Sequence, residues 1–171
     1  GVVLAQRIAG SGGSTTVEFY RFRAGGTWTL LAAIAITAAA GNGATNMGLA
    51  HAKVQFIARM DADDIAFPER IAKQVSYLIT HSDTILVGTQ ATVINSQGKK
   101  IGTKSVPTGH DAIYRQFAFV HPMIHPSIMI QKNLLPNPTR LYACKYGVSD
   151  DYYTFFRLFK YGKFANLQDV L

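Results

Sequence analysis

Cysteine is almost missing from this chain: Cys144 is the single one among 171 residues. No intramolecular disulfide can form, and a reducing, cytoplasmic compartment suits the chain. Nothing beside Cys144 marks a base, so it reads as a packed residue rather than a nucleophile. Charge is also sparse, at 16% of residues, while 48% hydrophobic content makes the chain globular rather than disordered. The 17 Lys and Arg outnumber the 10 Asp and Glu, giving a formal net charge of +7. This excess serves either solubility or an anionic partner. The basic residues are scattered, with only Lys99 and Lys100 adjacent, so no stripe for nucleic acid is present and none is expected as a partner.

Long apolar runs are lacking too. The longest, TLLAAIAITAAAG (29–41), falls short of the roughly 20 residues that a spanning helix needs. No basic-then-apolar leader with a cleavage site precedes it. The chain opens on Gly1 rather than Met, which points to a fragment. There is no internal repeat and no low-complexity linker, so one domain over 1–171 is expected. Residues 1–28, with GSGGSTT at 10–16, carry little periodicity and stay unassigned.

Residues 29–40 read as a buried helix stopped by the Gly-Asn-Gly at 41–43, because Ala and Leu favour helix. A short helix over 44–52 and a strand over 54–60 follow. After Pro68, Ile71, Val75, Leu78 and Ile79 recur at helical spacing, with Glu69, Arg70, Lys73 and Gln74 elsewhere around that helix. TILVGTQATVI (84–94) is rich in β-branched residues and predicts a strand, NSQGK (95–99) a turn, and Ile101 a second hairpin strand. Residues 110–119 suggest a helix and SIMIQ (127–131) a short strand. DDYYTFFRLFKYG (150–162) predicts a helix with Tyr152, Phe155, Phe156 and Phe159 on one core-facing side. Mixed and alternating helices and strands point to an α/β layered fold with its chemistry at strand ends.

Three clusters carry chemistry. FIARMDADD (56–64) runs from an apolar strand into Asp61, Asp63 and Asp64, whose carboxylates repel one another. An Asp-x-Asp at a strand end suits a hard divalent cation, Mg²⁺ or Mn²⁺, that in turn holds a phosphorylated ligand. The alternative is a helix start before Pro68, where one or two Asp are welcome. HPMIHPSIM (121–129) offers His121 and His125 as ligands or substrate contacts, or else as members of a rigid backbone-bonded loop. In VSDDYYTFFRL (148–158), Asp150 and Asp151 open a helix; one fits a cap, and the other a general base near a reacting hydroxyl.

Together these residues resemble the family-2 glycosyltransferases, inverting enzymes with a GT-A fold. The resemblance runs from Asn42 to Leu171 through N-x-G-L (46–49) with Ala52, IARMDADDIAFPERIAKQVSYL (57–78), the Val-Gly of ILVGT (85–89), HPSIM (125–129), DDYYTFFRL (150–158) and GKFANLQDVL (162–171). It implies a Rossmann-like nucleotide-sugar fold and transfer of a sugar, with inversion, to a hydroxyl of a glycan or lipid-linked acceptor in bacterial surface polysaccharide synthesis. Asp61 and Asp63 match the family's Asp-x-Asp for metal and donor diphosphate. Asp64 and Arg59 support the donor side. Asp151 matches the expected base, and Asp150 stands where that motif usually has Glu. His125 and Ser127 match a His-Pro-Ser/Thr motif of the active-site loop.

The opening departs from the family, whose members begin with a strand and a loop that hold the nucleotide base. That first strand is not recognisable in residues 1–41. SGGSTT (11–16) is the nearest trace of a later acidic motif, with Ser, Gly and Thr where its carboxylates belong. A catalytically weak relic or binding module of the same fold is therefore the alternative reading. A metal-dependent phosphohydrolase would share the acidic cluster but not the DDYY and HPS segments. Phe159, Lys160, Tyr161, Lys163 and Phe164 suggest peripheral contact with an acidic membrane surface, at the inner face of the plasma membrane, or an ordinary helix end.

Overall fold

The computed structural model describes residues 3–11, 14–22, 28–36, 42–61 and 63–171, with side chains described from Asn42 onward except at Ala44 and Val148. Strands β1 (Val3–Ser11), β2 (Ser14–Phe22) and β3 (Trp28–Ile36) precede helix α1 (Asn42–His51) and strand β4 (Phe56–Asp61). Helix α2 (Arg70–Thr80) leads to β5 (Thr84–Ile94) and β6 (Lys100–Lys104). Helix α3 (His110–Gln116), β7 (Met129–Gln131), α4 (Asp150–Leu158) and β8 (Lys163–Val170) complete the order.

Among the described residues the strands run β3-β2-β1-β4-β7-β5-β6, and β8 pairs in parallel with β5. β1 also lies parallel to β4, with Ile8 opposite Asp61, whereas β7 is antiparallel to both β4 and β5. The fold is thus α/β with a mixed sheet. Alternate strand residues reach opposite faces, as the pleat requires. On one face Ile57, Ile130 and Phe164 join Leu49, Ile113, Phe117, Tyr142 and Phe155 from the α1, α3 and α4 side. On the other, Phe56, Ala58, Met129 and Ala165 pack on Ile71 and Leu78 of α2. No helix among the described residues is long and apolar enough to cross a membrane.

Most expected elements form where the sequence predicts them. The helix expected over 29–40 does not: Trp28–Ile36 is a strand paired antiparallel with β2 from Phe22 to Thr15, and residues 37–41 lie outside the described residues. Its Ala, Leu and Ile suit either state, and sheet pairing decides, because periodicity alone does not separate a buried helix from a buried strand. The opening segment, in which no first strand was recognisable, forms a meander whose β1 takes the place beside β4. β8, carried only by the family resemblance, is a full strand. Gly88 of β5 is demanded by its crossing with β8, since a Cβ there would lie 2.3 Å from Asn166 Oδ1. Asn166 donates to the carbonyls of Pro107 and Pro122, tying two loops to the sheet.

Helix α2 also departs from its expected face. Ile79 is exposed, while Arg70 and Gln74 are buried. Arg70 Nη2 donates to the carbonyls of Arg59 (2.7 Å) and Ile128 (3.3 Å), and Nε donates to Gln74 Oε1 (3.1 Å). Gln74 Nε2 donates to the carbonyls of Val87 (2.9 Å) and Ser127 (2.8 Å). Burial pulls the Arg70 guanidinium down to about 10, so it remains cationic at neutral pH. Two polar side chains of α2 thus supply donors to β4, β5 and the turn before β7. Gln74→Ala would strand two buried carbonyls and is expected to cost about 3 kcal/mol in urea unfolding, against about 0.5 kcal/mol or less for Ile79→Ala.

Candidate functional site

Asp61 ends β4 at its carboxyl end, the side of a parallel strand pair where α/β folds present their ligands. Arg59, two residues earlier, projects from the same face and pairs with Asp61 through two contacts, Nη2–Oδ1 at 2.8 Å and Nη1–Oδ2 at 3.0 Å. The Arg59 side chain is buried and that of Asp61 is 37% exposed, so a desolvated cation holds a carboxylate at the surface. Asp63 and Asp64 follow on an exposed loop. Partial burial first, then the carboxylates of Asp61 and Asp63, push the Asp64 carboxyl up, against the opposing pull of Arg59 and Arg70. Three carboxylates thus crowd the end of β4, one of them paired with Arg59. The helix-start alternative fails, because α2 begins at Arg70 with Glu69 at its N-cap and no acidic residue in its first turn.

From the other side come His125 and Asp151. The first His-Pro-Ser residue, His125, opens a one-turn 3₁₀ segment ending at Ser127. Its Nε2 bonds the Tyr142 hydroxyl, and its Nδ1 lies 3.9 Å from Asp151 Oδ2. Burial, then the charges of Arg59 and His121, hold His125 down at about 2, so the imidazole is neutral at physiological pH and the contact with Asp151 is not an ion pair. Tyr142 is fully buried, which pushes its hydroxyl well above the usual phenol range. The neutral imidazole shares one hydrogen bond with the phenol through Nε2, and its Nδ1 faces Asp151. The Tyr142 hydroxyl also feels the charges of Arg59, Asp151, Asp61 and Asp150, in that order. It marks where the β4 and α4 carboxylates meet.

The two aspartates opening α4 separate clearly. Asp150 is buried, and its carboxylate accepts hydrogen bonds from the backbone amides of Cys144 (2.8 Å) and Lys145 (3.3 Å) and from Asn42 Nδ2 (3.5 Å). It organises the loop before the helix. The Asp151 side chain is 27% exposed, and its Oδ1 accepts from the amide of Tyr152 (2.7 Å). Ser127 is buried: its hydroxyl donates to the Ile124 carbonyl and accepts from the Thr89 amide, binding the turn to β5. His121 sits among Phe117, Tyr152 and Phe155, away from a ligand role.

The fold therefore gathers Arg59, Asp61, His125 and Asp151 around Tyr142, with Asp63 and Asp64 on the adjoining loop and Asp150 and Ser127 in supporting positions. Tyr142 was missed in the sequence, where LYACKYG carries no recognisable spacing. The one available signal was Asn46 of N-x-G-L. Its Oδ1 accepts from the amides of Leu141 (2.8 Å) and Tyr142 (2.9 Å), and its Nδ2 donates to the Tyr142 carbonyl (2.8 Å).

Comparison with known proteins points the same way. The model of the family described as Glycosyl transferase family 2 matches residues 40–165. The amylovoran biosynthesis glycosyltransferase AmsE of Erwinia amylovora is 31% identical over 129 residues, covering 75% of this chain and 47% of that protein. An uncharacterized glycosyltransferase of Haemophilus influenzae is 32% identical over 133 residues, with 75% and 47% covered. The O-antigen biosynthesis glycosyltransferase WbnJ of Escherichia coli is 34% identical over 92 residues, with 54% and 35% covered. The chain spans less than half the length of each.

The state of His125 has a measurable consequence. Its ordinary value of 6.5 applies in the unfolded chain and about 2 in the fold, so between these limits only the unfolded chain takes up the proton. The corresponding stability is complete above about 6.5 and is lost as the pH falls toward 2. Urea unfolding from pH 7 to pH 4 is expected to show this loss in the native chain and a shallower one in His125→Gln. Parallel curves would remove the neutral-imidazole assignment.

Proposed function

The chain belongs to glycosyl transferase family 2, and we propose that it works as a metal-dependent inverting transferase on a nucleotide-sugar donor. In this reading residues 1–171 form one transferase domain on the cytoplasmic side, where the thiol of Cys144 stays reduced. The acceptor is a hydroxyl of a glycan or lipid-linked glycan, and the product a bacterial surface polysaccharide. The named roles of AmsE and WbnJ in amylovoran and O-antigen biosynthesis support that product class. The observation that carries the proposal is that the Arg59–Asp61 pair and the partly exposed Asp151 both act electrostatically on the buried Tyr142 hydroxyl that His125 bonds.

The acidic loop fits a divalent cation by its chemistry. Its oxygen donors suit Mg²⁺ or Mn²⁺, and partial burial together with the neighbouring Asp61 and Asp63 pushes the Asp64 carboxyl up. Among the described residues no three His, Cys, Asp or Glu side chains close a cage; Mg²⁺ is commonly held by only one or two carboxylates plus substrate phosphates. Asp61 and Asp63 would hold the ion, with Asp64 beside them. When bound, it would neutralise charge on the departing diphosphate. Arg59 fixes the rotamer of Asp61 and adds positive charge behind it. Asp151 accepts the proton of the acceptor hydroxyl as that oxygen bonds to the anomeric carbon. The bond from that carbon to the diphosphate breaks with its electron pair on the phosphate oxygen, which inverts the centre. His125, uncharged beside Asp151, contributes orientation rather than charge.

A second reading, a relic that keeps the fold without turnover, is favoured by the antiparallel β1–β2–β3 meander at the opening. Ile8 of β1 stands opposite Asp61, and Ser11 and Ser14 of SGGSTT pair with each other at the ends of β1 and β2, while Gly12 and Gly13 lie outside the described residues. Thermal shift with Mn²⁺ or Mg²⁺ and a panel of nucleoside diphosphates separates the two. Metal-dependent stabilisation, lost in Asp63→Ala and kept in Asp151→Asn, is expected of the transferase. Asp151→Asn should then lower transfer by roughly 10²–10⁴-fold, the usual contribution of a general base. Absence of any nucleotide shift would leave the relic reading.

A further inference from the structure

Behind Tyr142, on the side of α4 that carries Arg157, lies a cavity of about 360 Å³ that the transfer chemistry above does not use. Its walls carry Arg140, Lys145 and Arg157, and no carboxylate. None of these three cations is in an ion pair among the described residues. Three further walls are tyrosines: Tyr146, Tyr153 and Tyr161. Tyr146 and Tyr153 lie with ring centroids 4.3 Å apart, and the Arg157 guanidinium stands over the Tyr153 ring at 5.3 Å. Thr154, also in the wall, is buried, and its hydroxyl has no hydrogen-bond partner among the described residues.

The cations and the tyrosines narrow the ligand. Three exposed cations with no carboxylate among them favour an anionic group, and Arg157 offers a planar fork to carboxylate or phosphate, while Arg140 also donates to the carbonyls of Tyr142 and Ala143. Tyrosine rings present flat apolar faces with polar tips, which suit the C–H face of a sugar ring as well as its hydroxyls. The Thr154 hydroxyl, buried away from solvent, takes no part in that selection. The volume lies at the small end of ligand sites, with room for a monosaccharide unit rather than a nucleotide sugar. Leu141, Tyr142 and Ala143 belong to the cavity's wall, and the buried Tyr142 hydroxyl bonds His125 of the site above.

We propose that this cavity binds an acidic sugar unit, a hexose bearing a carboxylate or a phosphate, within the acceptor glycan. Its assignment to the acceptor rests on the transferase reading; the binding of an acidic sugar does not. The cavity lies on the segment that also carries Tyr142, the partner of His125. It makes the acceptor's charge a criterion of specificity.

Titration calorimetry on the 171-residue chain tests this with glucuronate, glucose 1-phosphate, glucose and inorganic phosphate. The two acidic sugars are expected to bind, and glucose about tenfold more weakly or worse. Arg157→Gln and Tyr153→Ala are each expected to weaken the acidic sugars by about tenfold, while the metal-dependent nucleotide shift stays unchanged. Arg157 is exposed, so its replacement spares the core. Inorganic phosphate binding as tightly as glucose 1-phosphate would overturn the sugar component and leave a simple anion site. Equal binding of glucose would overturn the charge component. No binding, or binding indifferent to both variants, would overturn the site itself. Loss of the nucleotide shift with glucuronate binding intact would strike the transferase reading alone and leave the acidic-sugar site standing.

Discussion

A guanidinium withdrawn from water costs several kcal/mol unless its donors are used, and the structure is arranged around one such group. Arg70 lies beneath the sheet where β4, β5 and the His125–Ser127 turn converge, and its donors go to backbone carbonyls of β4 and of that turn. Gln74 continues the same bracing one helical turn later, reaching the carbonyls of Val87 and Ser127. β7 pairs with β4 only as far as Ala58 opposite Met129. Beyond that point the Arg59 amide still donates to the Ile128 carbonyl (2.9 Å), and Arg70 adds a second donor to that carbonyl and one to the carbonyl of Arg59. Everything nearer the site depends on this, because Arg59, Asp61 and His125 all project from backbone that Arg70 and Gln74 fix.

The site above that brace is built by opposing environments. Arg59 is buried and spends its charge on one surface carboxylate, while three aspartates in four positions load the loop with negative charge. Across from them His125 is held neutral by burial and by Arg59 itself. The imidazole therefore adds no cation to compete for Asp151. Asn46 and Asp150 have no direct part in such chemistry, yet both shape its walls by binding backbone amides, of Leu141 and Tyr142 in one case and of Cys144 and Lys145 in the other. Cys144 holds φ +56 in that second loop, a conformation that costs a non-glycine residue and that the Asp150 carboxylate helps to maintain. Asp150 is conspicuous in sequence for its charge, and in the fold that charge is spent on the loop.

Amphipathic spacing, β-branched runs and turn residues locate α2, β5, β6 and α4 to within a few residues, because these elements bury one face each and their patterns follow their own periods. The hairpin turn at 95–99 is legible for the same local reason: Asn95 Oδ1 accepts from two amides of the turn, and Gly98 takes φ +75. Residues 28–36 are not legible in this way. Their Ala, Leu and Ile fit a buried helix and a buried strand equally, and only the partner strand β2 decides. Gln74 and Arg70 likewise look like the wet side of a helix until the carbonyls they satisfy are placed above them.

The sequence by itself determined which residue types stand ready: the carboxylate cluster at the end of an apolar strand, the His-Pro turn, the paired aspartates and the ordered series by which the family is recognised. These are local facts of charge, backbone restriction and spacing, carried by neighbours along the chain. Tertiary structure decided which of them face solvent, which are consumed in holding loops, and what stands between them. Asp150 and Asp151 are adjacent in sequence and alike in chemistry, but only burial and backbone amides 5 and 6 positions away distinguish them. Tyr142 joins the two halves of the site through a contact 17 residues away in sequence, supported by Asn46 from 96 residues away. Contacts over such separations follow from packing against a shared core, which no local pattern encodes.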